Sequence, residues 1–393
     1  MDNRQSNKII YDFDTVIPRQ NTSSYKWDYT PGVIPLWVAD MDFKAAPCIL
    51  EAIQKKIDHG IFGYTKTPDS YYGSVIGWWE RRHGWSIEKD WILPVGGLVP
   101  GTSISLTALT GPGDGIILNT PAYNAFFHCI KDCGRTLSES PLAYKDGKYS
   151  FDYEDFENRC KTSKVFLLCN PQNPAGRLWT REELERIGDI CLKHGVTVVS
   201  DEIHCDIVPP GSAYTPFASI KKEFQDISIS LISPTKCFNI AGLQVANIVV
   251  PNQALREKVS KVMDWWVYTD MNQIGEAALQ GAFTPEGENW LDQMNAYVHD
   301  NFIYLKERFA AEFPQVHVCD LEATYLVWAD FSALMPDTRE LQDFLIRDYK
   351  VWINSGEMYG DGRFMRINIA CPRATLKEGL DRAFAGLRAY ISR

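Results

Sequence analysis

The middle of the chain dictates its architecture. Val165-Phe166-Leu167-Leu168-Cys169-Asn170 is a short unbroken apolar run, the pattern of a strand buried on both faces. A helix follows over residues 180–194. It opens with a capping box, Thr180 with Glu183, and stops at Gly195. Val196-Thr197-Val198-Val199-Ser200-Asp201 then reads as a second buried strand. Strand, helix and strand in that order make a right-handed crossover in a mainly parallel sheet. Residues 115–119 precede this unit, and 226–233 and 247–250 extend it. The pattern is that of the α/β class.

The chain has 393 residues, more than a single core of about 250–300 residues accommodates. Two packed domains are expected. Residues 61–284 hold the strand–helix series and form the larger one. The tail has another texture: 316–318, 325–329 and 364–370 alternate like sheet strands, with helices over 339–349 and 375–390 between and after them. Thr375 and Glu378 suggest a second capping box. Residues 285–393 therefore read as a smaller α+β domain. The opening segment, 1–60, rich in Trp, Tyr and Pro, is expected to cross over and join it. No repeat or low-complexity linker divides the chain.

Charge narrows the function. Forty Lys and Arg against fifty Asp and Glu give a net charge of −10, which leaves no excess of cations for a general nucleic-acid binder. A hydrophobic fraction of 45% with 23% charged residues excludes a largely disordered chain. Residues 1–8 are polar and lack the apolar core of a secretory signal, and no run of about 18 apolar residues suggests a membrane span. The ten cysteines are scattered, several inside apolar runs (Cys129, Cys169, Cys191), without CxxC pairs. A reduced cytoplasmic interior is expected. Cys191 and His194 have helical CxxH spacing, but no second ligand pair accompanies them, so no metal site is read.

In open parallel sheets, ligands sit beyond the carboxyl ends of the strands. Three strands here end in polar residues: Asn170-Pro171-Gln172-Asn173-Pro174-Ala175-Gly176, Asp201-Glu202-Ile203-His204, and Ser233-Pro234-Thr235-Lys236. Singly, each suits a turn, a solvated loop or a helix start. Together they bring an amide, a carboxylate and a lysine to one mouth. Pyridoxal phosphate needs such a set: an amine for a Schiff base and an acid for its pyridine nitrogen. Its phosphate needs N–H groups at a helix start. Pro94-Val95-Gly96-Gly97-Leu98-Val99-Pro100-Gly101-Thr102 lies between a strand-like 91–93 and a helical 102–109, although two glycines equally suit a plain turn. No P-loop and no GxGxxG appears.

These motifs, with Phe62-Gly63-Tyr64, Pro121-Ala122-Tyr123 and the extended run Ser233-Pro234-Thr235-Lys236-Cys237-Phe238-Asn239-Ile240-Ala241-Gly242-Leu243, occur in the order seen in fold-type I, aminotransferase-like pyridoxal-phosphate enzymes. The chain resembles that family over nearly its whole length. Leu36-Trp37-Val38-Ala39-Asp40-Met41-Asp42-Phe43 and the Asp-Glu-Ile-His form resemble one branch, the cystathionine β-lyases of the MalY/PatB type. The resemblance implies a large domain with a mainly parallel seven-stranded sheet, and a smaller α+β domain. It implies Lys236 as the Schiff-base amine and Asp201 as partner of the pyridine nitrogen. Asn173 is implied at the phenolic O3′ and Tyr123 stacked on the ring, where without the motif it would read as a core aromatic. Ser233 and the backbone of Gly97, Leu98 and Val99 are implied around the phosphate. Tyr64 would reach that phosphate from a neighbouring subunit, so a homodimer is implied. Arg366, in Phe364-Met365-Arg366-Ile367-Asn368, would grip the substrate carboxylate with Asn173.

Two positions depart from the plain aminotransferase pattern. The arginine usual eight positions after the lysine is Gln244 here, and the tyrosine usual three positions after the aspartate is His204. Both changes resemble the β-lyase branch. The implied activity is β-elimination of a thiol from L-cystathionine or a related cysteine S-conjugate, giving pyruvate and ammonia. The alternative is transamination of an L-amino acid by the same residues. A regulatory protein that keeps the fold is a third reading; the charge argues against DNA binding.

Overall fold

A computed structural model describes residues 9–266 and 271–393. The polar opening segment, 1–8, on which the signal-peptide reading rested, lies outside the described residues. A seven-stranded sheet runs in the order Ile92–Val95, Ala246–Val249, Ser228–Ile232, Thr197–Asp201, Ser163–Cys169, Gly115–Thr120, Thr136–Pro141. Only Ala246–Val249 runs against its neighbours; the other pairings are parallel. The central strands are buried on both faces, as their continuous apolar runs require. Helix Arg181–His194 begins at the expected capping box: the Thr180 hydroxyl accepts from the Glu183 N–H and the Glu183 carboxylate from the Thr180 N–H. Gly195 ends it in a left-handed conformation.

A second sheet, four-stranded and antiparallel, pairs His317–Val318, Leu326–Asp330, Phe364–Asn368 and Asn354–Ser355 in that order. Helices Pro285–Glu312 and Arg373–Ile391 belong to the same part of the chain. From the opening segment, Ile34–Pro35 pairs in parallel with Val351–Trp352, while helix Pro47–His59 packs against Gln273–Ala282.

Three local expectations are corrected. The last helix begins at Arg373 behind Pro372, whose fixed φ starts it without a side-chain cap, so Thr375 lies inside the helix and forms no capping box. The helix expected over 102–109 begins at Leu98, taking Pro100 into its first turn, where a missing N–H costs nothing. The helix expected over 339–349 is α-helical only as Arg339–Phe344 and closes in a π turn, Leu345–Tyr349. Among the described residues no helix is long and apolar enough to cross a membrane.

Candidate active site

Parallel packing puts the carboxyl ends of Ser163–Cys169, Thr197–Asp201 and Ser228–Ile232 side by side. Their polar extensions therefore share one rim. Asp201, 4% exposed, accepts one hydrogen bond, from the Ile203 N–H at 3.0 Å. Burial pushes its carboxyl up to about 7, against the pull of the Lys236 charge. Lys236 donates to the Ala39 carbonyl at 2.7 Å. Desolvation brings its amine down to about 8; Asp40 opposes that change, and Arg366 assists it. His204, also buried, is held down to about 3 by desolvation and by the Lys236 and Arg366 charges. It is therefore neutral at working pH, and its Nδ1 has no hydrogen-bond partner.

Arg366 comes from the second sheet and is 4% exposed. Its Nη1 donates to the Asn173 amide oxygen at 3.1 Å and its Nη2 to the Trp37 carbonyl at 2.9 Å. Its guanidinium lies 4.5 Å from the Tyr359 ring centre. Nε has no partner, and no carboxylate among the described residues pairs with this cation. A buried guanidinium without a counter-ion calls for an anion from outside the chain. Tyr123 is half-buried, senses the charges of both Arg366 and Asp201, and sets its ring edge-on to Phe126.

At the far end of the rim, Gly97 has φ +151°, a value L side chains rarely adopt, and it opens helix Leu98–Leu109. The N–H groups of Leu98 and Val99 stand in the first turn, where helices leave donors unpaired. Ser233 is less free than expected. Its hydroxyl donates to the Val245 carbonyl at 2.7 Å and shares a 2.7 Å bond with Thr235. Its single proton is already used, so the backbone donors are the better anion cradle. Gln244 is exposed and left-handed at φ 50°. Tyr64 is fully exposed, and Ile61 and Phe62 beside it are also exposed.

One feature of the site was read in the sequence only as a branch marker. Residues 37–42 form a strap whose carbonyls are gripped in turn: Trp37 by Arg366, Val38 and Asp40 by Asn368, and Ala39 by Lys236 and by Tyr325 at 3.0 Å. Asn239, left-handed at φ 56°, clips Met41 through both its N–H and its carbonyl, and also holds the Phe43 carbonyl. Elsewhere, His83, Cys205 and Asp206 come within metal-ligand reach of one another. Asp206 is already matched by His83 at 3.1 Å, Arg82 at 3.7 Å and the Trp78 N–H at 3.0 Å. That cluster reads as a buried ion pair.

The donor set defines what the rim can hold. It offers a depressed amine, a buried carboxylate with no ion-pair partner among the described residues, a neutral imidazole whose Nδ1 has no partner, and a helix start. A phosphorylated aromatic aldehyde with a protonated ring nitrogen answers each of them. Residues 31–382 match the family described as aminotransferase class I and II. The chain belongs to that family. Among curated relatives, the cystathionine β-lyase PatB of Bacillus subtilis is 40% identical, covering 95% of this chain and 99% of its own. Cystalysin of Treponema denticola, whose crystal structure contains pyridoxal 5′-phosphate, superposes with a TM-score of 0.94 at 36% identity, covering 97% of this chain and all of its own. The pyridoxal-phosphate-bound C–S lyase of Staphylococcus hominis gives 0.90 at 32% identity, covering 96% and 98%. The mainly parallel seven-stranded sheet found here is that of the aminotransferase-like fold.

Proposed function

We propose that this chain is a pyridoxal-phosphate-dependent C–S β-lyase. It eliminates the thiol from L-cystathionine or a related cysteine S-conjugate, with pyruvate and ammonia as the remaining products. The named activities of PatB and of the Staphylococcus hominis enzyme favour elimination over transamination. One observation carries the substrate class: Arg366, buried beside Asn173 without a carboxylate of its own, asks for the carboxylate of an α-amino acid.

When bound, the cofactor supplies an aldehyde for the substrate amine and a ring that takes up the electron pair left at Cα. Lys236 would hold it covalently and, once displaced by the substrate amine, would serve as the base that removes the Cα proton. An amine near 8 is partly neutral at working pH, which suits both taking and returning that proton. Asp201 would face the ring nitrogen and keep a proton there. Asn173 and His204 would stand at the phenolic oxygen, and Tyr123 would pack on the ring. The N–H groups of Leu98 and Val99, with Gly97 permitting close approach, would hold the phosphate, and Ser233 would join them on rotating its hydroxyl.

In this reading, residues 61–284 form the cofactor-bearing domain, and 285–393 with 1–60 form the part that brings Arg366 and the strap. A homodimer is part of this reading: the exposed Ile61, Phe62 and Tyr64 form an apolar patch that a second copy would cover, with Tyr64 placed to reach the partner's phosphate site. The ten unpaired cysteines suit a reducing cytoplasm.

Incubation with L-cystathionine and no added keto acid tests the reaction type. Pyruvate and ammonia in equal amounts are expected, and strict dependence on a keto acid would overturn the reading. Arg366→Lys tests the carboxylate site. A point charge replaces the two-pronged donor, so kcat/KM should fall about 10–10²-fold, mostly through KM. Unchanged kinetics would remove Arg366 from the site.

A further inference from the structure

The strap beside Lys236 is held from beneath by buried charge. Lys26 is enclosed, its side chain 0% exposed; its ammonium lies 2.9 Å from Asp42 Oδ2 and 3.3 Å from Asp40 Oδ1. Arg19 closes the other side, Nη1 at 2.7 Å from Asp42 and Nη2 at 2.9 Å from Asp40. The Trp27 N–H adds a third donor to Asp42 at 2.8 Å.

The two carboxylates do different work. Asp42 has both oxygens hydrogen-bonded and is buried, which makes it the anchor. Asp40 is 20% exposed at its side chain, and its Oδ1 accepts no hydrogen bond. It adjoins Ala39, whose carbonyl takes the Lys236 N–H. The charged and titratable groups around that amine are Asp40 from the strap, Asp201 and His204 from the strand end, and Arg366 from the second sheet. Tyr325 reaches the same carbonyl. Both carboxylates favour the charged form of the amine.

We propose that Asp40 is a further positioning residue of the reaction: held by Arg19 and Lys26, it fixes the Ala39 carbonyl against Lys236 and stabilises the positive charge that Lys236 gains on taking the Cα proton. The proton passes from Cα to Nζ, and the electron pair of the broken C–H bond stays behind at Cα for the cofactor ring to take up. Lys236 therefore turns from neutral to cationic in a desolvated site. A fixed carboxylate and a preset carbonyl favour that change without reorganisation at the moment of transfer. The inference rests on Lys236 being the cofactor-bearing amine.

The test is a spectral pH titration of the holoenzyme, following the visible band of the bound cofactor, which reports protonation of the Lys236 nitrogen linked to it. Asp40→Asn, which keeps size and one acceptor oxygen, should move the midpoint down, on the order of half a pH unit. Arg19→Gln leaves Asp40 less neutralised and should move it up. Asp40→Glu should return it towards the parent value. In steady state Asp40→Asn should lower kcat more than it raises KM. Opposite spectral shifts cannot come from mere loosening of the strap. Midpoints that stay put, or that move the same way in both variants, overturn the proposal. If Asp40→Asn does not fold, an unmoved or lowered midpoint in Arg19→Gln still does so. Failure to trap the cofactor on Lys236 of the parent protein by hydride reduction is a separate result, which would overturn the lysine assignment instead.

Discussion

Lys236→Ala should yield a folded protein with no covalently held cofactor and with turnover reduced by more than about 10³-fold. Among the described residues the site offers no substitute amine. Lys26, the other enclosed lysine of this region, is committed to Asp40 and Asp42. The fold should survive, because the Ala39 carbonyl keeps the Tyr325 hydroxyl as donor. Absorbance spectra with and without added pyridoxal phosphate, circular dichroism and pyruvate release make the measurement. Partial recovery with a small exogenous amine should accompany the loss, since the missing group is itself an amine. Turnover within about tenfold of the parent would refute the role of Lys236.

The second large effect concerns Asp201, and its sign depends on whether the cofactor is present. In the cofactor-free protein burial raises this carboxyl from its ordinary value to about 7. A carboxyl with a raised folded-state pKa contributes stability that is complete below the unfolded value near 4 and is lost as pH rises through 7. Above that pH the native chain must bury an unpaired carboxylate, at a cost of roughly 4 kcal/mol. Asp201→Asn removes the cost. The cofactor-free variant should therefore unfold at a higher temperature than the cofactor-free parent at pH 8, and at about the same temperature near pH 4. Glu202, also raised to about 7 by burial, is present in both proteins and drops out of the comparison. With cofactor bound the order should reverse, because the amide cannot hold a proton on the ring nitrogen. Turnover should then fall about 10–10²-fold, the worth of one charge-assisted hydrogen bond. Equal stability of the two cofactor-free proteins across pH 4–8 would contradict the buried, unpaired state of Asp201.

The strand ends were legible because a buried strand of a parallel sheet is an unbroken apolar run, and the first polar residue after it marks the rim. That rule put Asp201 and Lys236 at one mouth, and the family resemblance supplied their roles. Asn173 and Arg366 needed the family motifs, since an amide in a turn and an arginine on a strand have ordinary uses elsewhere. The strap could not be read as part of the site. Its contribution is a row of backbone carbonyls, which leave no side-chain signature, and its partners Lys236, Asn239, Tyr325 and Asn368 lie between 197 and 330 residues away. The strand Thr136–Pro141 was missed because its edge position leaves it exposed and polar, with neither alternation nor a continuous apolar run. Thr375 with Glu378 misled for the opposite reason. The capping pattern is present, but Pro372 starts the helix first.

Hydride reduction of the holoenzyme, followed by proteolysis and mass spectrometry, tests the central claim most directly. A phosphopyridoxyl group fixed on the nitrogen of Lys236, in the Ser233-Pro234-Thr235-Lys236 peptide, is the expected result. The same mass on a different lysine, or on none after saturation with pyridoxal phosphate, would contradict the account.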